Sequence, residues 1–84
     1  MVIFPIGFTA NTNISTYTTF GTITGPRYYP IADLNLYLVG NLSGTPTGIT
    51  LQVLKDGSLR CSHDISSGQT LYCTAFWIAR WENY

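Results

Sequence analysis

Apolar and polar residues alternate with a period of two along most of this chain. Leu34, Leu36 and Leu38 alternate with Asn35, Tyr37 and Val39. Tyr17, Thr19, Gly21 and Ile23 alternate with Thr18, Phe20 and Thr22. A two-residue period places successive side chains on opposite faces of a strand, whereas a helix would need apolar residues every three to four positions. No segment carries that helical period. Thr, Val, Ile and aromatic residues, which suit a pleated surface, dominate the apolar segments. The pattern predicts strands over residues 2–8, 16–24 and 34–40, a hairpin over 49–54 and 59–63, and a last strand over 70–81. Pro5 cannot donate to a ladder, so the first strand is expected at an edge or a bulge. Turn chemistry separates these segments at Asn11-Thr12-Asn13, at Gly25-Pro26 with Tyr29-Pro30, over 41–48 and over 64–69. Gly40, Gly44, Gly48, Gly57 and Gly68 read as turn residues.

The register of the hairpin follows from the side chains. A two-residue loop at Asp56-Gly57 would pair Val53 with Arg60 and put a charge on the face of Ile49, Leu51 and Val53. A three-residue loop, Lys55-Asp56-Gly57, pairs Val53 with Leu59 and Leu51 with Cys61. All five apolar residues then share one face. Such a loop is a type I turn followed by a left-handed residue, which Gly57 supplies. Because a one-residue slip inverts a whole strand, the three-residue loop is the expected one.

The last strand is unusual. Leu71, Cys73, Ala75, Trp77, Ala79 and Trp81 line one face, and Tyr72, Thr74, Phe76, Ile78 and Arg80 the other. Both faces are apolar through the middle, whereas a half-solvated antiparallel sheet keeps one face polar. Eighty-four residues provide little material to cover both sides. Either this is a central strand covered on both faces within one chain, or its second face meets another chain; the second is the preferred reading, with the partner over Phe76, Ile78 and Tyr72. Placing Cys61 opposite Cys73 would put His63 opposite Leu71, with 64–70 as the loop. The two cysteines then read as reduced, buried, small apolar residues, with a cross-strand disulfide as the alternative.

The chain is long enough for one domain, and one this small is marginal alone. Charged residues make up only 10% of it, against roughly 25% in a typical soluble domain, and the net charge is zero. That balance argues against a basic, nucleic-acid-binding surface and against an electrostatic membrane anchor. No apolar run reaches the length of a membrane span, so membrane insertion is not expected. Residues 1–8 lack the positive region of a signal peptide. Residues 2–8 instead read as the middle of a strand in a longer polypeptide.

Catalytic chemistry is sparse. Ser62-His63-Asp64 has the residue types of a triad, but neighbours on a strand point to opposite faces. Asp33, Asp56, Asp64 and Glu82 sit at different turns and termini, with no reason to converge as a carboxylate pair. One histidine and two cysteines twelve residues apart make no zinc set, and no phosphate loop is present. No enzyme activity, metal or cofactor is expected. Asn13-Ile14-Ser15 and Asn41-Leu42-Ser43 match the glycosylation pattern, which abundant Ser and Thr make common by chance. The aromatic residues offer stacking faces for sugar rings. Tyr28 and Tyr29, between Pro26 and Pro30 beside Arg27, form the candidate ligand loop, with His63 and Asp64 as further polar candidates.

The element Arg27-Tyr28-Tyr29-Pro30, the hairpin segment Gly48-Ile49-Thr50-Leu51-Gln52-Val53-Leu54-Lys55-Asp56-Gly57-Ser58-Leu59-Arg60, and Gly68-Gln69-Thr70-Leu71-Tyr72 leading into Phe76-Trp77-Ile78-Ala79 together resemble the C-terminal tip domains of bacteriophage tail fibres and receptor-binding proteins. The resemblance spans about residues 27–81. It implies an all-β fold, a small antiparallel β-sandwich or jelly-roll-like domain, assembled as a homotrimer on a virion. It also implies recognition of a host-surface glycan or protein. Residues 1–84 then form a single β domain, with 1–25 a candidate junction to a preceding fibre shaft. The family has no shared binding motif, so no residue carries over by position. Two other functions fit the same residues: a purely structural trimerisation or capping module, and a free-standing carbohydrate-binding domain.

Overall fold

The computed structural model describes residues 1–79. The fold is all-β: β1 (Val2–Thr9), β2 (Gly21–Thr22), β3 (Leu34–Leu42), β4 (Thr45–Val53), β5 (Ser58–Cys61) and β6 (Thr70–Trp77), with one 3-10 turn at Pro26–Tyr28. They form one six-stranded sheet in the order β1-β6-β3-β4-β5-β2, antiparallel throughout. No helix among the described residues is long and apolar enough to cross a membrane.

Two hairpins set the central registers. β3 and β4 pair along their full length, from Leu34↔Val53 to Leu42↔Thr45, across the two-residue turn Ser43-Gly44. Both turn residues have positive φ, 50° and 87°, the type I′ geometry whose twist matches the flanking strands. β4 and β5 pair as Val53↔Leu59, Gln52↔Arg60 and Leu51↔Cys61, the expected register, with Gly57 at φ 91°. The main chain closes this loop, with Gly57 N–H donating to Leu54 O and Leu54 N–H to Ser58 O. Asp56 Oδ1 accepts the Ser58 N–H at 2.9 Å, and Asp33 Oδ1 accepts that of Lys55 at 2.8 Å.

The sheet curls until its two ends meet. β1 and β2 are its outermost strands, yet Phe8 of β1 stacks on Phe20, one residue before β2, at 5.2 Å between ring centroids. Inside the curl, Ile6, Ile49, Leu51, Val53, Leu59, Cys61, Leu71, Cys73, Ala75 and Trp77 form one buried cluster. Each large aliphatic side chain buried this way contributes about 1.5–3 kcal/mol. β1 is an edge strand, the position Pro5 requires.

The curl depends on a narrow join. β3 and β6 pair only at Asn41↔Tyr72 and Leu42↔Leu71, and then diverge. Gly40 marks the closest approach: a Cβ there would lie 2.9 Å from the Tyr72 main-chain oxygen and 3.1 Å from Cys73 Cβ. An isolated bridge between Pro30 and Ala79 ties the far end.

Several expectations are corrected. Cys61 does not face Cys73 in a ladder. β6 pairs with β1 and β3, and Cys73 sits opposite Ile6, because the segment after β5 crosses to the other side of the curl. Both thiols are free and buried. Only Gly21–Thr22 of the predicted strand 16–24 is regular. Tyr17 has a positive φ of 57°, so the segment touches β5 at intervals, through Tyr17 N–H to Cys61 O and Phe20 N–H to Leu59 O. The predicted break at 41–48 is mostly strand, and Gly40 and Gly48 lie inside β3 and β4 rather than in turns. β6 ends at Trp77, and Arg80 and Trp81 lie outside the described residues.

Candidate functional site

The loop Arg27-Tyr28-Tyr29 is built on the 3-10 turn. Gly25, at φ 99°, enters it, and Tyr28 N–H donates to Gly25 O at 3.0 Å. Arg27 and Tyr28 are exposed, with the guanidinium carbon 5.6 Å from the Tyr28 ring centroid. Buried Trp77 anchors the turn by donating its Nε1–H to Tyr28 O at 2.7 Å. Tyr29 points the other way, half-buried against the core and laid over Gly57. It supports the β4–β5 turn rather than facing solvent.

His63 and Asp64 lie beyond the opposite end of β5. The four-residue strand Ser58–Cys61, roughly 13 Å long, lies between them and Gly57. The five residues expected to bind a ligand therefore form two separate groups. Asp64 is a tether: its Oδ1 accepts both the main-chain N–H and the hydroxyl of Thr16, each at 2.6 Å. These two bonds hold the carboxyl below the usual carboxylate range. The carboxylate's hydrogen bonds thus go to Thr16, and His63 acts on it only as a weaker, through-space charge. Ser62 Oγ accepts the Thr50 N–H at 2.9 Å and lies 3.4 Å from His63 Nδ1. Among the described residues no three His, Cys, Asp or Glu side chains cluster as metal ligands. Burial pushes the Cys73 thiol up to about 11 and raises Cys61 as well.

The outer face of the sheet is a more coherent surface. Alternation in β6 sends Leu71, Cys73, Ala75 and Trp77 inward and Tyr72, Thr74 and Phe76 outward. Phe76, Ile78 and Tyr72 are each more than half exposed. Ile3 stands opposite Phe76 on β1, Ile31 lies beside Phe76 and Ile78, and Tyr37 and Val39 project from β3. Tyr37 is the most exposed at 81%. β1, β3 and β6 contain no charged residue at all. The sequence pattern already put Tyr37 and Val39 on the outward side of their strand. What it lacked was the order β1-β6-β3, which joins three separate stretches of chain into one surface.

Two tyrosines of this face each reach over a glycine of an adjacent strand. Tyr72 is directly opposite Gly7, where a Cβ would sit 2.8 Å from two ring carbons. Tyr37 reaches across to Gly48, whose Cβ would lie 3.0 Å from the phenol oxygen. No family model, curated protein or solved structure matches the chain.

Proposed function

We propose that the chain is a self-associating β module, the tip domain of a viral fibre of the tail-fibre type, acting as a homotrimer at a host-cell surface. The observation that supports it best is the charge-free apolar outer face of β1, β6 and β3. With about 150–250 Å² for a full aromatic side chain and somewhat less for an aliphatic one, the exposed parts of Tyr37, Tyr72, Phe76, Ile3, Ile31, Val39 and Ile78 amount to roughly 700–900 Å². A standard protein interface buries about 800 Å² per partner, and monomers rarely expose a patch this large. An uncharged face suits a second copy of itself, since no like charges meet across it. The viral setting rests on the resemblance of residues 27–81 to fibre tips.

The division of the loop candidates into two groups favours a second reading, a trimerisation or capping module with no ligand of its own. Sedimentation tests what both readings share. The chain is expected to sediment at three times its 9.3 kDa mass. Ile78→Lys, which puts a charge at the centre of the contact, is expected to dissociate it. A monomer at micromolar concentration, or an assembly indifferent to Ile78→Lys, would overturn the proposal.

A further inference from the structure

β3 and β6 leave a notch in the sheet. They are laddered at Asn41↔Tyr72 and Leu42↔Leu71, and the next contact between these stretches of chain is the Pro30↔Ala79 bridge. Between the two contacts the β3 side carries ten residues, 31–40, and the β6 side six, 73–78. The surplus bows the sides apart, and residues 31–33 cross the wide end from Pro30 to the start of β3 at Leu34. That end is a cavity of about 350 Å³ among Ile31, Leu34, Leu36, Phe76, Trp77 and Ile78. A narrower one of about 210 Å³ continues it between residues 35–38 and 74–76.

The notch leaves two things unfinished. One is the core. Leu34, Leu36 and Leu38 point inward yet are only half-buried. Their ladder partners Val53, Leu51 and Ile49 are at most 1% exposed. The missing cover is therefore on the β6 side. The other is the main chain. A two-residue turn is flanked by a hydrogen-bonded pair, here Leu42↔Thr45, so the even-numbered residues of β3 bond to β4. Asn35 and Tyr37 then direct their N–H and C=O groups into the notch. On β6, Thr70 O accepts the Ser43 N–H at 2.8 Å, so the even-numbered residues face β3. Thr74 and Phe76 thus direct theirs into the notch from the other side. None of the four has a ladder partner there among the described residues.

Together these gaps select the occupant. A small apolar molecule would cover the leucines but take water from the N–H and C=O groups without replacing it, at about 1–3 kcal/mol per group. An extended peptide covers the leucines and bonds the main chain at once. Strands lie about 4.8 Å apart, so one strand between β3 and β6 needs about 9.6 Å, a span that residues 31–33 are long enough to cross. No lining side chain is ionisable except the Tyr37 phenol, so a charge directed inward would lose hydration and find no partner. We infer that the notch between β3 and β6 is a docking site for an uncharged extended segment of a partner polypeptide, about four residues long, with apolar side chains at alternate positions. The seated segment is a seventh strand, lying between β6 and β3. The notch is a gap in the sheet rather than a part of its outer face, and filling it makes that face continuous. This goes beyond self-association and does not depend on it, because both edges of the notch belong to one chain.

The test is hydrogen exchange and amide-resolved titration of the whole chain. The probes are blocked six-residue peptides in which Val, Leu or Phe alternates with Thr. At least one is expected to shift the amides of Asn35, Tyr37, Thr74 and Phe76 and slow their exchange, and to leave those of Arg27, His63 and Asp64 in place. The same peptide N-methylated at alternate residues keeps its apolar surface but loses the donors along one edge, and its binding should fall at least tenfold. Asn35→Pro removes one donor from the notch and spares the β3–β4 ladder. It should weaken binding about fivefold, as loss of one main-chain hydrogen bond does, whereas Asn35→Ala should bind like the parent. The N-methylated peptides keep the outcome readable if Asn35→Pro folds poorly. The inference is overturned if no peptide moves the four amides, or if the N-methylated peptides bind as well as the parent peptide. It is also overturned if those amides are already protected in the chain alone, since a neighbouring copy then fills the notch.

Discussion

Replacing Gly40 by alanine should destabilise the domain far more than the same change at Gly48, although both glycines lie inside strands of one hairpin. At Gly40 the new methyl would lie 2.9 Å from the main-chain oxygen of Tyr72 and 3.1 Å from Cys73 Cβ. Neither neighbour is the loose end of a side chain, so relief requires β3 and β6 to separate at their only join. Overpacking by one methyl costs about 1–3 kcal/mol, while removing glycine from a strand returns about 0.5–1 kcal/mol. The net loss is about 0–2.5 kcal/mol, centred near 1 kcal/mol, or roughly 4–8 °C in melting temperature at that centre for a domain this size. At Gly48 the methyl meets only the phenol oxygen of exposed Tyr37, at 3.0 Å, and the ring can swing away. Gly48→Ala should therefore be neutral or stabilise by up to about 0.5 kcal/mol. Urea unfolding followed by circular dichroism, at one protein concentration for all samples, measures the difference. Equal midpoints for the two variants, or a Gly40→Ala midpoint matching the parent, would refute the claim that the curl depends on this contact.

Two further outcomes follow from the buried groups. Trp77→Phe keeps most of the ring volume but removes the Nε1–H bond to Tyr28 O, and should cost about 1–3 kcal/mol in urea unfolding. It should also speed amide exchange in the turn at Tyr28 and Tyr29. The Cys73 thiol, held near 11 against an ordinary value of 9.0, has about 100-fold less thiolate than an unfolded cysteine below pH 9, so iodoacetamide should label it about that much more slowly in the folded chain. The unfolded thiol ionises first. Its contribution to stability is therefore complete below about pH 9 and declines as pH rises toward 11, a decline that Cys73→Ala should remove.

Where side chains alone decide a pairing, the sequence was sufficient. Arg60 could not share a face with Leu51 and Val53, and Gly57 could take the left-handed position, so the β4–β5 register was legible. The two faces of β6 were legible for the same reason. Cys61 and Cys73 do not pair because β6 lies between β1 and β3 rather than beside β5, and alternation carries no information about which strands pair. Residues 16–24 alternate well, but Tyr17 leaves the extended region at φ 57°, a backbone event with no signature in the pattern. Residues 41–48 are rich in turn formers, yet only Ser43-Gly44 turns. Pro46 is tolerated because β4 meets β5 only from Leu51 onward, so that stretch of its other edge is open. The candidate site was scattered for a related reason. Tyr37, Tyr72 and Gly7 come from three strands, and only the sheet order brings them onto one face.

The pairing of β1 with β6 also imposes an order on folding. Thr9 meets Thr70 and Val2 meets Trp77, so the first strand waits for the last. The β3–β4 and β4–β5 hairpins can form within microseconds of leaving the ribosome. β1 cannot, and at about 5–20 residues per second it stays unpaired for roughly 3–15 s. During that interval Val2, Phe4, Ile6 and Phe8 offer an apolar row with no sheet to join. Synthesis of this domain therefore places its most adhesive segment first and its cover last, which makes β1 the natural client of a chaperone.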